Sequence, residues 1–313
     1  MTSDRIDLKG ATSHFLHTEG PRGFLLRFVL AYAAASLVLQ AVGLWTQAPV
    51  YELYLRAFAE NDGDFSPYLD EMNAHAMRAN LGSLLLLPVS LGIWVLFEAA
   101  SQRRYIRADG FGLKLGADEG RLAVVGLIWF ALLIAGYIAL LIGAMLPGMI
   151  AGLALGVATG FAVGGVILLA GMIAALYLFA RLSPAGPLTI RDRQIRFFES
   201  WTLTKGYGWA LAGSYFALFA VFTLVSLLVY GALFFAGFVL VAPAIDSSAG
   251  GRQTADAILA VMAQPAFWVP MTFVMFLVLM VLAVFAHALG GPAAWMVRQN
   301  SFQGGTAITD TFG

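Results

Sequence analysis

Five stretches of this chain stay apolar for longer than one buried face of a soluble helix requires. They cover about residues 24–45, 80–97, 122–180, 206–245 and 257–297, and a helix needs ~20 predominantly apolar residues to cross a hydrocarbon core. The 122–180 run holds two helices divided at Pro147-Gly148, because a third would put the flanking Arg121 and Arg181 clusters on opposite sides. The last two runs are taken as one long helix each. The pattern therefore predicts an all-α, polytopic membrane helix bundle of six transmembrane helices, with spans at about 24–45, 80–99, 122–146, 149–180, 207–241 and 266–297. Ala33-x-Ala35 resembles a signal-peptide cleavage site, but the apolar stretch runs well past it, so the first span is expected to stay uncleaved.

Two polar segments carry a helical stripe of their own. Val50, Leu53, Tyr54, Ala57 and Phe58 follow i, i+3, i+4, i+7, i+8 spacing, which predicts an amphipathic helix over 49–60 lying on the membrane interface. Over 189–203, Thr189 and Asp192 resemble a capping box, and Ile190, Phe197, Phe198 and Trp201 fall opposite Arg191 and Arg196. This second segment reads as a basic amphipathic elbow on the membrane surface. Residues 101–121 and GPRGFLLRF before the first span have similar character, so three elbow-plus-hairpin units are an expectation.

Glycine recurs every fourth residue at Gly148, Gly152, Gly156, Gly160 and Gly164. On a single helix these five share one face, where small residues let backbones approach. The row predicts that span 4 is the central packing helix of the bundle. An oligomer face or a pore lining is the functional alternative.

Composition sharpens the class. The 313 residues are 60% hydrophobic and 12% charged, with a mean hydropathy of +0.82, more apolar surface than a soluble domain can hide. The zero net charge offers no basic excess for nucleic acid, and the lack of cysteine excludes disulfides, thiolate metal sites and cysteine nucleophiles. Of the basic residues, fifteen fall at the termini and in the even-numbered loops and three, Arg56, Arg78 and Arg252, in the others. By the positive-inside rule both termini are cytoplasmic, here in a bacterial inner membrane.

Chemistry inside the spans is sparse. Glu98 and His287 are the intramembrane ionisable residues apart from tyrosine, and such a group is a functional candidate by default. Gly290-Gly291-Pro292 should bend the helix beyond His287 and free the Ala288 carbonyl. A buried imidazole satisfied by backbone or a tyrosine is the plain reading; a proton relay would need a carboxylate at the same depth. One intramembrane histidine does not supply bis-histidine haem ligation, and His14 with His17 lacks a third ligand, so no cofactor or metal is expected. Asp62 and Asp64 form an acidic turn without the glycine and terminal glutamate of an EF-hand. No P-loop, GxSxG or HExxH pattern is present.

Around the elbows, Arg181-Leu182-Ser183, Glu199-Ser200-Trp201 and Leu203-Thr204-Lys205-Gly206 are followed by an apolar span, and LKLGADEGRL at 113–122 forms a second such element. This pattern resembles poorly characterised bacterial six-span proteins similar to the membrane domain attached to some glycerophosphodiester phosphodiesterases. The resemblance implies a membrane-embedded accessory fold without the phosphodiesterase barrel. The expected function is a non-catalytic scaffold or accessory subunit. Its partners are the lipid bilayer and a membrane-protein partner or a second copy meeting the span 4 glycine face. The alternative is a transporter or channel subunit for a small or lipidic solute.

Overall fold

The computed structural model describes residues 8–60, 64–244 and 251–300, and the regular elements among them are all helical. That is the outcome lipid imposes, since a helix pairs every backbone N–H and C=O inside one segment. The order is α1 (Leu8–Ser13), a 3-10 turn at His14–Leu16, α2 (Phe24–Glu60), α3 (Leu69–Arg107), α4 (Ala117–Leu155), α5 (Val157–Leu182), α6 (Ala185–Asp192), α7 (Glu199–Leu203), α8 (Gly208–Val241), α9 (Gly251–Met262) and α10 (Pro265–Leu289), followed by a helical run at 291–300. Among the described residues six helices are long and apolar enough to cross a membrane, which makes this a multi-pass membrane protein. Arg5 and Asp62, which entered the charge and calcium arguments, lie outside the described residues.

The spans are longer than the apolar runs. With 37 residues, α2 is about 55 Å long, against ~40–45 Å for a bilayer including its headgroups. The separate interfacial helix expected at 49–60 is a continuation of α2 through Pro49. Two of its stripe residues, Leu53 and Ala57, are buried, and the exposed Tyr54 ring is edge-on to Phe65 at 5.6 Å. Lipid is not needed to cover apolar residues that already have protein neighbours.

The chain divides into two compact units. One comprises residues 25–94 and 221–285, with Phe28, Ala33, Val278 and Ala283 buried and Phe222 stacked on Phe285 at 3.8 Å. The other comprises residues up to 24, 95–220 and from 286 onward, and contains the α4–α5 hairpin.

The hairpin corrects the reading of the glycine row. Pro147 lies inside α4, and the chain reverses instead at Gly156, whose φ of 98° and ψ of 155° belong to a region that only glycine occupies comfortably. The five glycines therefore do not lie on one helix. Gly148 and Gly152 are on α4, Gly160 and Gly164 on α5, and the two pairs meet across the hairpin. A Cβ on Gly160 would sit 2.6 Å from the Gly148 carbonyl oxygen, and one on Gly148 3.3 Å from Gly164 Cα. A Cβ on Gly156 would have no neighbour within 4 Å. Within the hairpin these contacts consume the glycine face proposed for a partner.

Two expectations follow. Single cysteines at the exposed positions Ser66 and Gln194 should react from opposite sides of intact cells, Ser66 from outside and Gln194 only after permeabilisation; the reverse result would invert the topology. In thermal unfolding in detergent, Gly160→Leu should cost about 1–3 kcal/mol by overpacking and Gly156→Ala a similar amount by backbone strain. Gly165→Leu, where a Cβ meets no neighbour within 4 Å, should leave the midpoint close to wild type.

Candidate functional site

The polar chemistry gathers in the unit that holds the hairpin. Where α3 ends, three arginines reach into three different connecting segments. Arg104 donates to the Thr18 hydroxyl at 3.1 Å and lies over the Phe24 ring at 5.1 Å. Arg103, buried, pairs with Glu119 and donates to the Gly112 carbonyl at 3.0 Å. Arg107 pairs with Asp118 at 2.6 Å and donates to the Ile190 carbonyl at 2.5 Å. At the end of α5, Arg181 repeats the arrangement. Its Nε donates to the Thr204 hydroxyl at 2.7 Å and an Nη to the Trp201 carbonyl at 2.5 Å, with the guanidinium 4.0 Å from the Trp201 ring centre. Thr18 and Thr204 each precede a glycine with positive φ, Gly20 and Gly206, just before a span. Two of the expected elbows are thus tied back by the same arginine–threonine contact.

The 189–203 elbow differs from the expected amphipathic helix. It is two short helices, α6 and α7, separated where Arg193 adopts a left-handed φ of 54° that ends α6. Ile190 and Phe197 are 0% and 2% exposed and belong to the protein core, beside Leu122 and Val125. Phe198 and Trp201, at 69% and 42%, are exposed, as is Ile195. Turning the chain at Arg193 splits a stripe that one continuous helix would have kept on one side. Thr189 does not cap α6; its hydroxyl accepts the Arg196 backbone N–H at 3.1 Å, across the turn. Arg191 pairs with Asp192 at 2.7 Å and Arg196 with Glu199 at 3.1 Å, so these two cations have carboxylate partners within the elbow. The Glu199 carboxyl is held below the usual range by its own backbone N–H and then by Arg196.

His287 is fully enclosed. Its Nδ1 lies 2.7 Å from the Ser101 hydroxyl, its ring stacks on Tyr105 at 4.7 Å and 8°, and its carbonyl accepts the Tyr105 hydroxyl at 2.7 Å. The ring nitrogen thus meets a serine hydroxyl where backbone or a tyrosine was expected, and the tyrosine bonds the backbone carbonyl instead. The helix breaks at Gly290, whose N–H donates to the His287 carbonyl at 3.1 Å. Glu98 accepts from Gln102 Nε2 at 2.8 Å, leaving the buried Gln102 Oε1 without a partner. His14 stacks on the other side of Tyr105 at 5.5 Å. Burial, then the charge of Arg298, pushes its imidazole down to about 4, so it is neutral at pH 7. His17 goes to the Ser13 carbonyl, so the two N-terminal histidines do not converge.

A second site, in the other unit, was not anticipated. A cavity of about 920 Å³ opens between α2, the end of α9 and α10, at the upper end of the range typical of small-molecule sites. Leu37, Ala41, Leu44, Trp45, Met271 and Met275 make its apolar walls, and Tyr51 and Glu52 line it farther along α2. Glu52 is the one charged lining residue among those described, and it pairs with Arg56 one turn away at 2.5 Å. Trp268 Nε1 donates to the Met262 carbonyl at 2.6 Å, joining α10 to α9. Pro49 and Pro270 sit inside the two long helices that wall the cavity, each removing a backbone donor where a helix can bend. The sequence signals were these prolines and the tryptophans, whose pairing needs the fold.

None of the protein families, curated proteins or solved structures compared with the chain matches it.

Arg181→Lys keeps the charge but loses the planar fork that serves Thr204 and Trp201 together. It should destabilise the protein by about 2–3 kcal/mol, read as a lowered unfolding midpoint. Arg78→Lys, in an exposed stretch of α3, should be silent.

Proposed function

We propose that this chain is a membrane protein that binds and carries a lipidic solute, the second of the two functions the sequence suggested. The 920 Å³ cavity carries this reading. Its walls are mostly apolar from Leu37 to Leu44, with Gln40 the polar side chain among them, and gain Tyr51 and Glu52 past Trp45. That gradient follows the one from acyl chain to headgroup in an amphiphile. Tryptophan is favoured at the membrane interface, so Trp45 and Trp268 fit the level where the solute's polar end begins. Its single carboxylate is engaged by Arg56, which favours binding over covalent chemistry. The arginine-rich loops support placing the termini on the cytoplasmic side of a bacterial inner membrane, with the cavity toward the opposite end of α2.

A scaffold or accessory role remains compatible with the exposed elbow residues Phe198 and Trp201. The glycine pairs that motivated that reading meet inside the hairpin, so they no longer favour it over lipid binding.

The test is which lipids stay bound after gentle detergent extraction. Ala41→Trp and Ala48→Trp place an indole in the cavity and should reduce co-purifying lipid at least tenfold with an unchanged unfolding midpoint. Leu227→Trp, on an exposed face of α8, should retain it. Equal lipid in all three variants would remove the cavity from the function.

A further inference from the structure

We infer that the cavity recognises the ester linkages of a diacyl glycerolipid, with the Gln40 amide and the Thr272 hydroxyl donating to its two acyl carbonyls. This rests on the lipid-carrying reading of the cavity and adds the chemical group it selects. Most polar groups of the lining are already in use. Tyr51 donates to Gln47 at 2.8 Å, Trp268 to the Met262 carbonyl at 2.6 Å, and Glu52 accepts from Arg56 at 2.5 Å. Among the described lining residues, Gln40 on α2 and Thr272 on α10 are the hydrogen-bonding side chains left without a partner. At hydrocarbon depth no water is at hand to pair them, and an unpaired polar group there is costly. A solute in the cavity can supply the missing partner.

Depth identifies the group. Gln40 comes five residues, ~7.5 Å, before Trp45, and Thr272 comes four residues, ~6 Å, after Trp268. As the first and last of six spans, α2 and α10 cross in opposite directions, so both steps lead from the tryptophans toward the apolar interior. Tryptophan rings sit at headgroup level, and the layer between headgroups and hydrocarbon is about 5–7 Å deep. One turn below the tryptophans is therefore where the esters of a glycerolipid lie. An ester carbonyl only accepts hydrogen bonds, and both side chains can donate. One donor stands on each long wall of the cavity, which suits a lipid with two acyl carbonyls. Val38 lines the same deep end and is 64% exposed, so that end is open to the side and the acyl chains continue into the surrounding bilayer. The cavity of 920 Å³ has room for about thirty water-sized groups at ~30 Å³ each, enough for a head, the glycerol diester and the first methylenes.

The experiment uses the full-length protein, delipidated in detergent, and native mass spectrometry with two phospholipids of the same headgroup and chain length, one a diester and the other a diether. Wild type should bind the diester about tenfold more tightly, because the ether complex leaves both donors unpaired. Gln40→Leu and Thr272→Val, which nearly keep side-chain volume, should each cut this preference to about threefold and together abolish it. Diether affinity should stay at or above the wild-type value in all three variants, an outcome that separates hydrogen-bond donation from a structural role. Ala48→Trp should weaken both lipids alike. Equal binding of diester and diether by wild type, lost in Ala48→Trp, would overturn the inference and leave the cavity reading standing. An ester preference that survives in the double variant, or a double variant that loses both lipids, would overturn it in the same way. Binding untouched by Ala48→Trp would overturn the cavity reading itself.

Discussion

Buried arginines close the connections between apolar spans, and much of the polar architecture follows from that. A spanning helix ends with carbonyls that no longer have intrahelical donors, and the connecting chain brings hydroxyls and carbonyls that must also be paired if they pack against the bundle. Arginine answers this because one planar group carries five donors and keeps its charge. Arg104 meets Thr18, Arg103 meets Glu119 and the Gly112 carbonyl, and Arg181 meets Thr204 and the Trp201 carbonyl. The excess of cations on one side of the sequence thus has a structural use in addition to its bearing on orientation. Of the cations on that side, Arg103, Arg104 and Arg181 are buried, and each is fully engaged in holding an elbow.

The α4–α5 hairpin solves a different problem. No hydrophobic force draws helices together in lipid, so contact has to come from close backbone approach. Four glycines supply it, Gly148 and Gly152 against Gly160 and Gly164, and the fifth spends its freedom on the reversal at Gly156. In the other unit small residues do the opposite. Ala41, Ala48 and Ala263 leave space that the surrounding tryptophans and methionines bound but do not fill, and the result is the cavity. Missing side-chain volume therefore gives a tight contact in one unit and an open site in the other.

Periodicity and composition alone established the helical class, the six spans and the presence of structured elbows. These properties are local or additive: a run of some twenty apolar residues crosses a bilayer whatever it packs against, and a buried arginine still reads as a basic residue near a span. The elbow residues show where such reasoning stops. Ile190, Phe197, Phe198 and Trp201 share a stripe on paper, but the left-handed Arg193 turns the chain, sending the first two into the core and leaving the last two exposed. A single backbone angle decided this, and hydrophobic periodicity does not encode it.

The glycine row marks the same limit. Spacing by four says that the residues can share a face, and it was the fold that put Gly156 in a reversal and turned one row into two facing pairs. His287 found Ser101 and Tyr105 across more than 180 positions of sequence, and the cavity joins residues near position 40 to others near 270. The amino-acid sequence by itself determined where this chain enters lipid, because transfer from water depends on each segment's own surface. Only the tertiary structure decided which polar groups are satisfied and where space is left, because both depend on which distant side chains come to face each other.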